Sequence, residues 1–261
     1  MLNGVMAGAQ LGVASLGVTA GSRELVTALS ATFSPREFIA ILGRNGSGKT
    51  LTLHTLAGLR PAQAGVVSLD GQPIARLARR ALARRIGVLL QDLEEGFTMT
   101  ALESVLIGRH PHLSAWQWEG HEDERIAMQA LAQMDLADCA NRGTDTLSGG
   151  EQRRVAIAGL LAQEPEVFLV DEPTNHLDPH HQLAVLALLR TLASSGATII
   201  ASLHDPTLAA RFADRVLLLF GDGRWRLGPA AEVLTGESLS ELYSTPMVEL
   251  AAGGRRIFAS A

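Results

Sequence analysis

The stretch "FIAILGRNGSGKTLTLHTLAG", residues 38–58, constrains this chain more than any other. An apolar run ends in a glycine-rich loop, and the loop runs directly into a helix-forming segment. Glycines at 43, 46 and 48 let backbone N–H groups turn inward around phosphate oxygens, where side chains would clash. Lys49 supplies a point charge for β- and γ-phosphates, and Thr50 opens the helix with a hydroxyl suited to Mg²⁺. The helix N-terminus adds a favourable dipole. The spacing meets the P-loop pattern in full, so the expected nucleotide-binding run is Gly43, Arg44, Asn45, Gly46, Ser47, Gly48, Lys49, Thr50 and Leu51. An ordinary glycine-rich turn leaves Lys49–Thr50 unexplained.

Further short apolar runs recur at 37–42, 85–90, 166–170, 197–203 and 215–220. They do not alternate in polarity. Continuous Val/Ile/Leu runs mark strands buried on both faces, hence a parallel sheet covered by helices. Helical stretches at roughly 49–58, 149–163, 179–194 and 206–213 separate several of them. Residues 11–35 and 65–70 carry Thr, Val and Ser with turn residues between, which reads as an antiparallel β flank. Within the largely helical stretch 99–163, Ile126, Ala130, Leu131 and Met134 share one helix face and read as core. The expected fold is α/β: a P-loop NTPase core with a mostly parallel sheet, an antiparallel β flank and a helical subdomain. One domain spans 1–261, with the helical subdomain inserted at about 95–163.

Bulk properties narrow the partners. The net charge of −5 argues against nucleic acid, because binding a phosphate backbone needs a basic face. Arg76, Arg79, Arg80, Arg84 and Arg85 form a local exception; they read as a solvated helix face, with membrane headgroups or a partner as the other reading. A single cysteine, Cys139, excludes an intramolecular disulfide and fits a reducing compartment. Residues 1–22 carry no charge, yet lack the basic start of a signal peptide and are broken by five glycines. They read as a loose terminus leading into a strand.

"EVFLVDEPTNHLDP", residues 166–179, is a buried strand ending in two carboxylates. Asp171 is suited to hold Mg²⁺ at the carboxyl end of the sheet, beside the P-loop. Glu172 is suited to act as general base or orienter for an in-line water. A second glycine run, "TLSGGE" at 146–151, opens a helix and is itself a potential anion site.

Taken in order, "GRNGSGKT", "LSGGE", "VFLVDEP" and "ASLHD" resemble the nucleotide-binding subunits of ABC transporters, from about residue 16 to 258. The resemblance implies ATP and Mg²⁺ as cofactors and a head-to-tail dimer of two copies. In that dimer Ser148, Gly149 and Gly150 of one copy cap the γ-phosphate held by the other's P-loop, and Asp178 crosses the interface. The resemblance further implies that Gln91 senses Mg²⁺ and links to the membrane subunit, and that His204 is the switch histidine facing the γ-phosphate. Two positions depart from the pattern. Ala20 stands where the family usually places an aromatic residue for adenine, and Gly159 stands where a better helix former is expected.

Within the family, this chain has one P-loop, no coiled coil and no fused membrane domain, which points to a separate importer subunit. "GRHP" at 108–111 and the segment 226–250 are similar to the ATPases of iron–siderophore, haem and vitamin B12 importers. The expected partners are therefore integral-membrane permease subunits and, indirectly, a substrate-binding protein, with the chain peripheral on the cytoplasmic face of the cell membrane. A non-transport ATPase acting on a soluble assembly or nucleic acid is the alternative. Phe97, Arg109, His110, Trp116 and Trp118 are candidate permease contacts, with local packing as the other reading of the tryptophans. The histidines at 110, 112 and 121, and those at 176, 180 and 181, lack the partners of a convincing metal site.

Overall fold

The computed structural model describes residues 8–90, 99–114 and 117–261. The chain opens with strands β1 (Leu11–Ala20) and β2 (Arg23–Phe33), followed by β3 (Phe38–Leu42) and helix α1 (Lys49–Leu56). Strands β4 (Ala64–Leu69) and β5 (Gln72–Pro73) precede α2 (Arg79–Arg85) and β6 (Ile86–Leu89). Between β6 and β7 (Val167–Val170) lie α3 (Ala101–Leu106), α4 (His121–Gln133) and α5 (Gly149–Ala162). Then come α6 (Pro179–Ser195), β8 (Thr198–Ser202), α7 (Pro206–Phe212), β9 (Arg215–Leu219) and β10 (Trp225–Pro229). Helices α8 (Ala230–Val233) and α9 (Gly236–Tyr243) and the hairpin β11 (Met247–Ala252)–β12 (Arg255–Ser260) complete the chain.

The main sheet has the order β10-β9-β3-β8-β7-β6, parallel throughout except for the β10 edge. Its central strands do not alternate in polarity because both faces are covered. Phe38, Ala40 and Leu42 of β3 pack into the core beneath the helices. Ile39 and Ile41 of the same strand pack into a second core beneath the antiparallel sheet and α1. All five are fully buried. Phe38, Ile39, Ile41 and Leu42 each contribute about 1.5–3 kcal/mol relative to exposure, which makes both faces obligatory.

The flank is a four-stranded antiparallel sheet, β2-β1-β4-β5. The uncharged stretch from residue 11 to 20 has its explanation here. Strand β1 is flanked on both sides and buries Leu11, Val13, Leu16 and Val18.

Helices α3, α4 and α5 pack on one another beside the sheet, and "GRHP" has a structural role there. Gly108, just past α3, passes so close to α5 that a Cβ would stand 2.2 Å from the Gly159 carbonyl oxygen. At Gly159 itself a Cβ would find its nearest neighbours at 3.9 Å, so sterics do not demand glycine at that helical position. Arg109 is buried rather than exposed to a partner, which corrects its reading as a candidate permease contact. Its guanidinium donates to Asp123 Oδ1 at 3.0 Å, to Glu164 Oε2 at 2.7 Å and to the Ala162 carbonyl at 2.7 Å. It thereby ties the start of α4 to the end of α5. The Gly120 amide, and after it Arg109, hold the Asp123 carboxyl below the usual carboxylate range against the opposing effect of burial.

The arginine cluster is likewise more than a solvated face. Arg80 and Arg84 donate to the Pro111 carbonyl at 3.0 and 2.7 Å, and Arg79 donates to the Gly58 carbonyl at 3.2 Å. Arg85 bridges Asp70 and Glu166. The stretch following α3 is thus fastened to α2 by its exposed guanidiniums.

Candidate active site

The parallel strands deliver three chemical segments to one end of the sheet. β3 ends in the glycine loop, β7 in the two acids, and β8 directly before "LHD". Gly43 has no room for a side chain, since a Cβ would meet Ser47 Oγ at 2.3 Å and the Leu219 carbonyl at 2.6 Å. Gly48, the residue preceding α1, has φ 102°, a left-handed conformation that side chains resist. A cleft of about 550 Å³ opens over this loop, with Asn45, Gly46, Gly48, Lys49, Thr50 and Leu51 on one wall. Glu172, Asn175 and His204 form another wall, and Ala20 and Leu25 close the end at the antiparallel sheet. Ala20, which stands where the family usually places an aromatic residue, thus lines the cleft. Arg44 turns aside to Ser244 Oγ at 3.1 Å.

Lys49 is buried, and its ammonium donates to the Gly43 carbonyl at 3.0 Å. Burial pushes its pKa down, while the charges of Glu172 and Asp171 push it up. The cation and the two acids therefore share one electrostatic environment.

Asp171 is buried at the end of β7 and accepts a 2.5 Å hydrogen bond at Oδ1 from Ser202 Oγ. Its other oxygen, Oδ2, is buried without a hydrogen-bond partner among the described residues, as is Ser47 Oγ in the glycine loop. Buried polar atoms are rarely left unpaired, so an orphaned carboxylate oxygen beside a phosphate cradle fits a divalent cation or its water shell. Glu172 has φ 47°, and its amide donates to Ser202 Oγ at 2.9 Å. Its carboxylate lies 2.6 Å from His204 Nε2 and accepts from Asn175 Nδ2.

The second glycine run stands elsewhere. Ser148 caps α5 in a reciprocal box. Its Oγ accepts from the Glu151 amide at 3.3 Å, and its hydroxyl donates to Glu151 Oε2 at 2.8 Å. Gly149 and Gly150 form the first turn of the helix. None of residues 147–151 lines the cleft. Asp178 is half exposed and caps α6 through the His181 amide at 3.0 Å, also outside the cleft. Gln91, Phe97 and Trp116 lie outside the described residues. His110 is exposed and pairs with Glu119 at 3.1 Å, and Trp118 is 87% exposed. No group of three or more His, Cys, Asp or Glu residues suited to a metal occurs among the described residues.

Three site residues escaped the sequence reading: Ser202, Asn175 and Arg153. Arg153, on α5, donates to the carbonyls of Asp171 and Glu172 and to that of Leu90 at 2.6 Å. Its only signal was an arginine within an otherwise apolar helix face. Asn175 follows Glu172 by one helical turn of sequence, a spacing that could have suggested it.

Residues 26–175 match the ABC transporter family. Over 209 residues the chain is 42% identical to the hemin import ATP-binding protein of Nocardia farcinica, covering 80% of this chain and 72% of that protein. It is 38% identical to the ferric enterobactin transport ATP-binding protein of Escherichia coli over 205 residues, 78% of this chain and 76% of that one. Among solved structures, a chain from an ABC transporter assigned to the metal-chelate type, in an inward-facing conformation, superposes with a TM-score of 0.85. The identity is 28%, with 97% of this chain and 98% of that chain covered. A bacterial ABC transporter cassette solved as a dimer superposes with a TM-score of 0.76 at 28% identity, covering 84% of this chain and 98% of that chain. The glycine loop, the acids at the sheet's carboxyl end and the shared architecture converge: the chain belongs to the ABC transporter family, as an ATP-binding cassette.

Proposed function

We propose that this chain hydrolyses ATP as the energy-coupling subunit of an importer for a metal chelate, such as haem, a ferric siderophore or cobalamin. The observation that carries the ATPase reading is the cleft over the glycine loop that buried Lys49 and Glu172 line together, with the charges of Glu172 and Asp171 both acting on the Lys49 ammonium. The chelate class rests on the named relatives, whose cargoes are hemin and ferric enterobactin.

In this reading residues 43–51 cradle the triphosphate, and Lys49 neutralises its outer phosphates. Thr50, Asp171 and Gln91 would hold Mg²⁺, which would offset phosphate charge when bound. Glu172 takes a proton from the in-line water, and His204 Nε2 and Asn175 keep that carboxylate aimed. The chain forms one domain, and its helical part at about 95–163 carries the second glycine run away from the nucleotide of its own copy. A second copy, packed head to tail, brings Ser148, Gly149, Gly150 and Asp178 to the first copy's cleft, and one repeated twofold interface completes both sites. Closing and reopening of that dimer works on permease subunits in the cell membrane, with the chain on its cytoplasmic face. No helix among the described residues is long and apolar enough to cross a membrane.

The test is reconstitution with the permease into proteoliposomes. ATP hydrolysis is expected to rise when a binding protein loaded with one metal chelate is enclosed. Hydrolysis indifferent to haem, ferric siderophores and cobalamin alike contradicts the chelate-import reading.

A further inference from the structure

We propose that the Ser202 hydroxyl is a positioning group that orients both acids of the site and thereby sets the affinity of the ATP complex for its divalent cation. The inference rests on the reading that the cleft takes a metal–ATP complex.

The parallel register places Ser202 for this. Val170 of β7 pairs with Ala201 of β8, so the next residues, Asp171 and Ser202, lie side by side at the end of the sheet. On its other side Ser202 pairs with Ile41, two residues before the glycine loop begins. The side chain is fully buried. Its one proton goes to Asp171 Oδ1 at 2.5 Å, and its oxygen accepts the Glu172 amide at 2.9 Å. A hydroxyl can donate once and accept; here both capacities join the two acids.

Two consequences follow. With Oδ1 engaged, the Asp171 carboxylate cannot rotate freely, and Oδ2 is the oxygen left for a cation or its water. Glu172 has a left-handed backbone that residues other than glycine seldom adopt. The hydrogen bond from its N–H to Ser202 Oγ holds that peptide, together with the Arg153 hydrogen bonds to the Asp171 and Glu172 carbonyls. Loss of the hydroxyl leaves a buried N–H and a buried carboxylate oxygen unpaired, so both acids lose their aim. Ser202 touches neither nucleotide nor cation in this arrangement; it acts through its neighbours.

Ser202→Thr and Ser202→Val have the same shape and differ by the hydroxyl alone. The readout is Mn²⁺ bound to the protein–ATP complex, measured by electron paramagnetic resonance, beside ATP affinity in EDTA. Outer-sphere partners of metal ligands commonly govern affinity by 10–100-fold, so Val is expected to weaken Mn²⁺ by about tenfold or more and Thr to stay within about threefold of wild type. ATP affinity in EDTA is expected to be unchanged in both. Ser202→Ala adds no atoms and gives the same reading if the extra methyl is not tolerated. Equal Mn²⁺ affinity for Val and Thr, or for Ala and wild type, overturns the role of Ser202 alone. Wild type that holds no Mn²⁺ with ATP overturns the reading of the site as well.

Discussion

His204 Nε2 lies 2.6 Å from Glu172 Oε1, although the two residues leave the sheet from different strands. With Asn175 on the other oxygen, the carboxylate is held at both atoms. Glu172→Gln keeps this shape and removes the base. The expected outcome is retained ATP binding, turnover reduced about 10²–10⁴-fold, and an ATP-dependent dimer on size-exclusion chromatography. Hydrolysis near the wild-type rate removes Glu172 from the role of base.

Lys49 gives a pH dependence with a definite sign. Burial, its largest influence, lowers the pKa below the ordinary 10.5, with Glu172 and Asp171 opposing. The ammonium is present below the lowered value and is lost as pH rises through it. Nucleotide affinity therefore starts to fall at a pH below 10.5, earlier than for an exposed lysine. Calorimetric titrations on the alkaline side should show this decline in wild type and a flat, weaker affinity in Lys49→Ala. Parallel curves for the two proteins would contradict the assignment.

The separation of Ser148 from the cleft predicts complementation. Lys49→Ala and Ser148→Arg each damage both sites of a homodimer. A mixed dimer concentrates both lesions in one site and leaves the other sound. Doubly tagged mixed dimers in their membrane complex should occlude about one ATP, where either homodimer occludes almost none. Occlusion no better than in the homodimers rules out action in trans by residues 147–151.

Gly108 and Gly159 should respond oppositely to the same methyl. Gly108→Ala drives a Cβ to 2.2 Å from a carbonyl, and overpacking of this kind costs about 1–3 kcal/mol. Gly159→Ala has 3.9 Å of room and gains up to about 1 kcal/mol of helix propensity. Urea unfolding of the two variants checks both signs. Equal destabilisation would mean that the two helices do not cross as described.

The sequence by itself determined the fold class and the linear order of the site. Residues 38–50 are a contiguous strand, loop and helix start, so their conformation is decided by neighbours along the chain. The unbroken apolar runs required two covered faces, and Phe38 and Ile39 do enter different cores. The acids were legible because Asp171 and Glu172 end such a run. Only the tertiary structure decided what holds them. Ser202 reaches Asp171 across 31 residues, and Arg153 reaches the same residue across 18. Those contacts depend on which strands pair, in what register, and which helix covers them. Local sequence carries no record of which helices pack together, and for that reason Arg109 read as a surface contact while the fold buries it between two carboxylates.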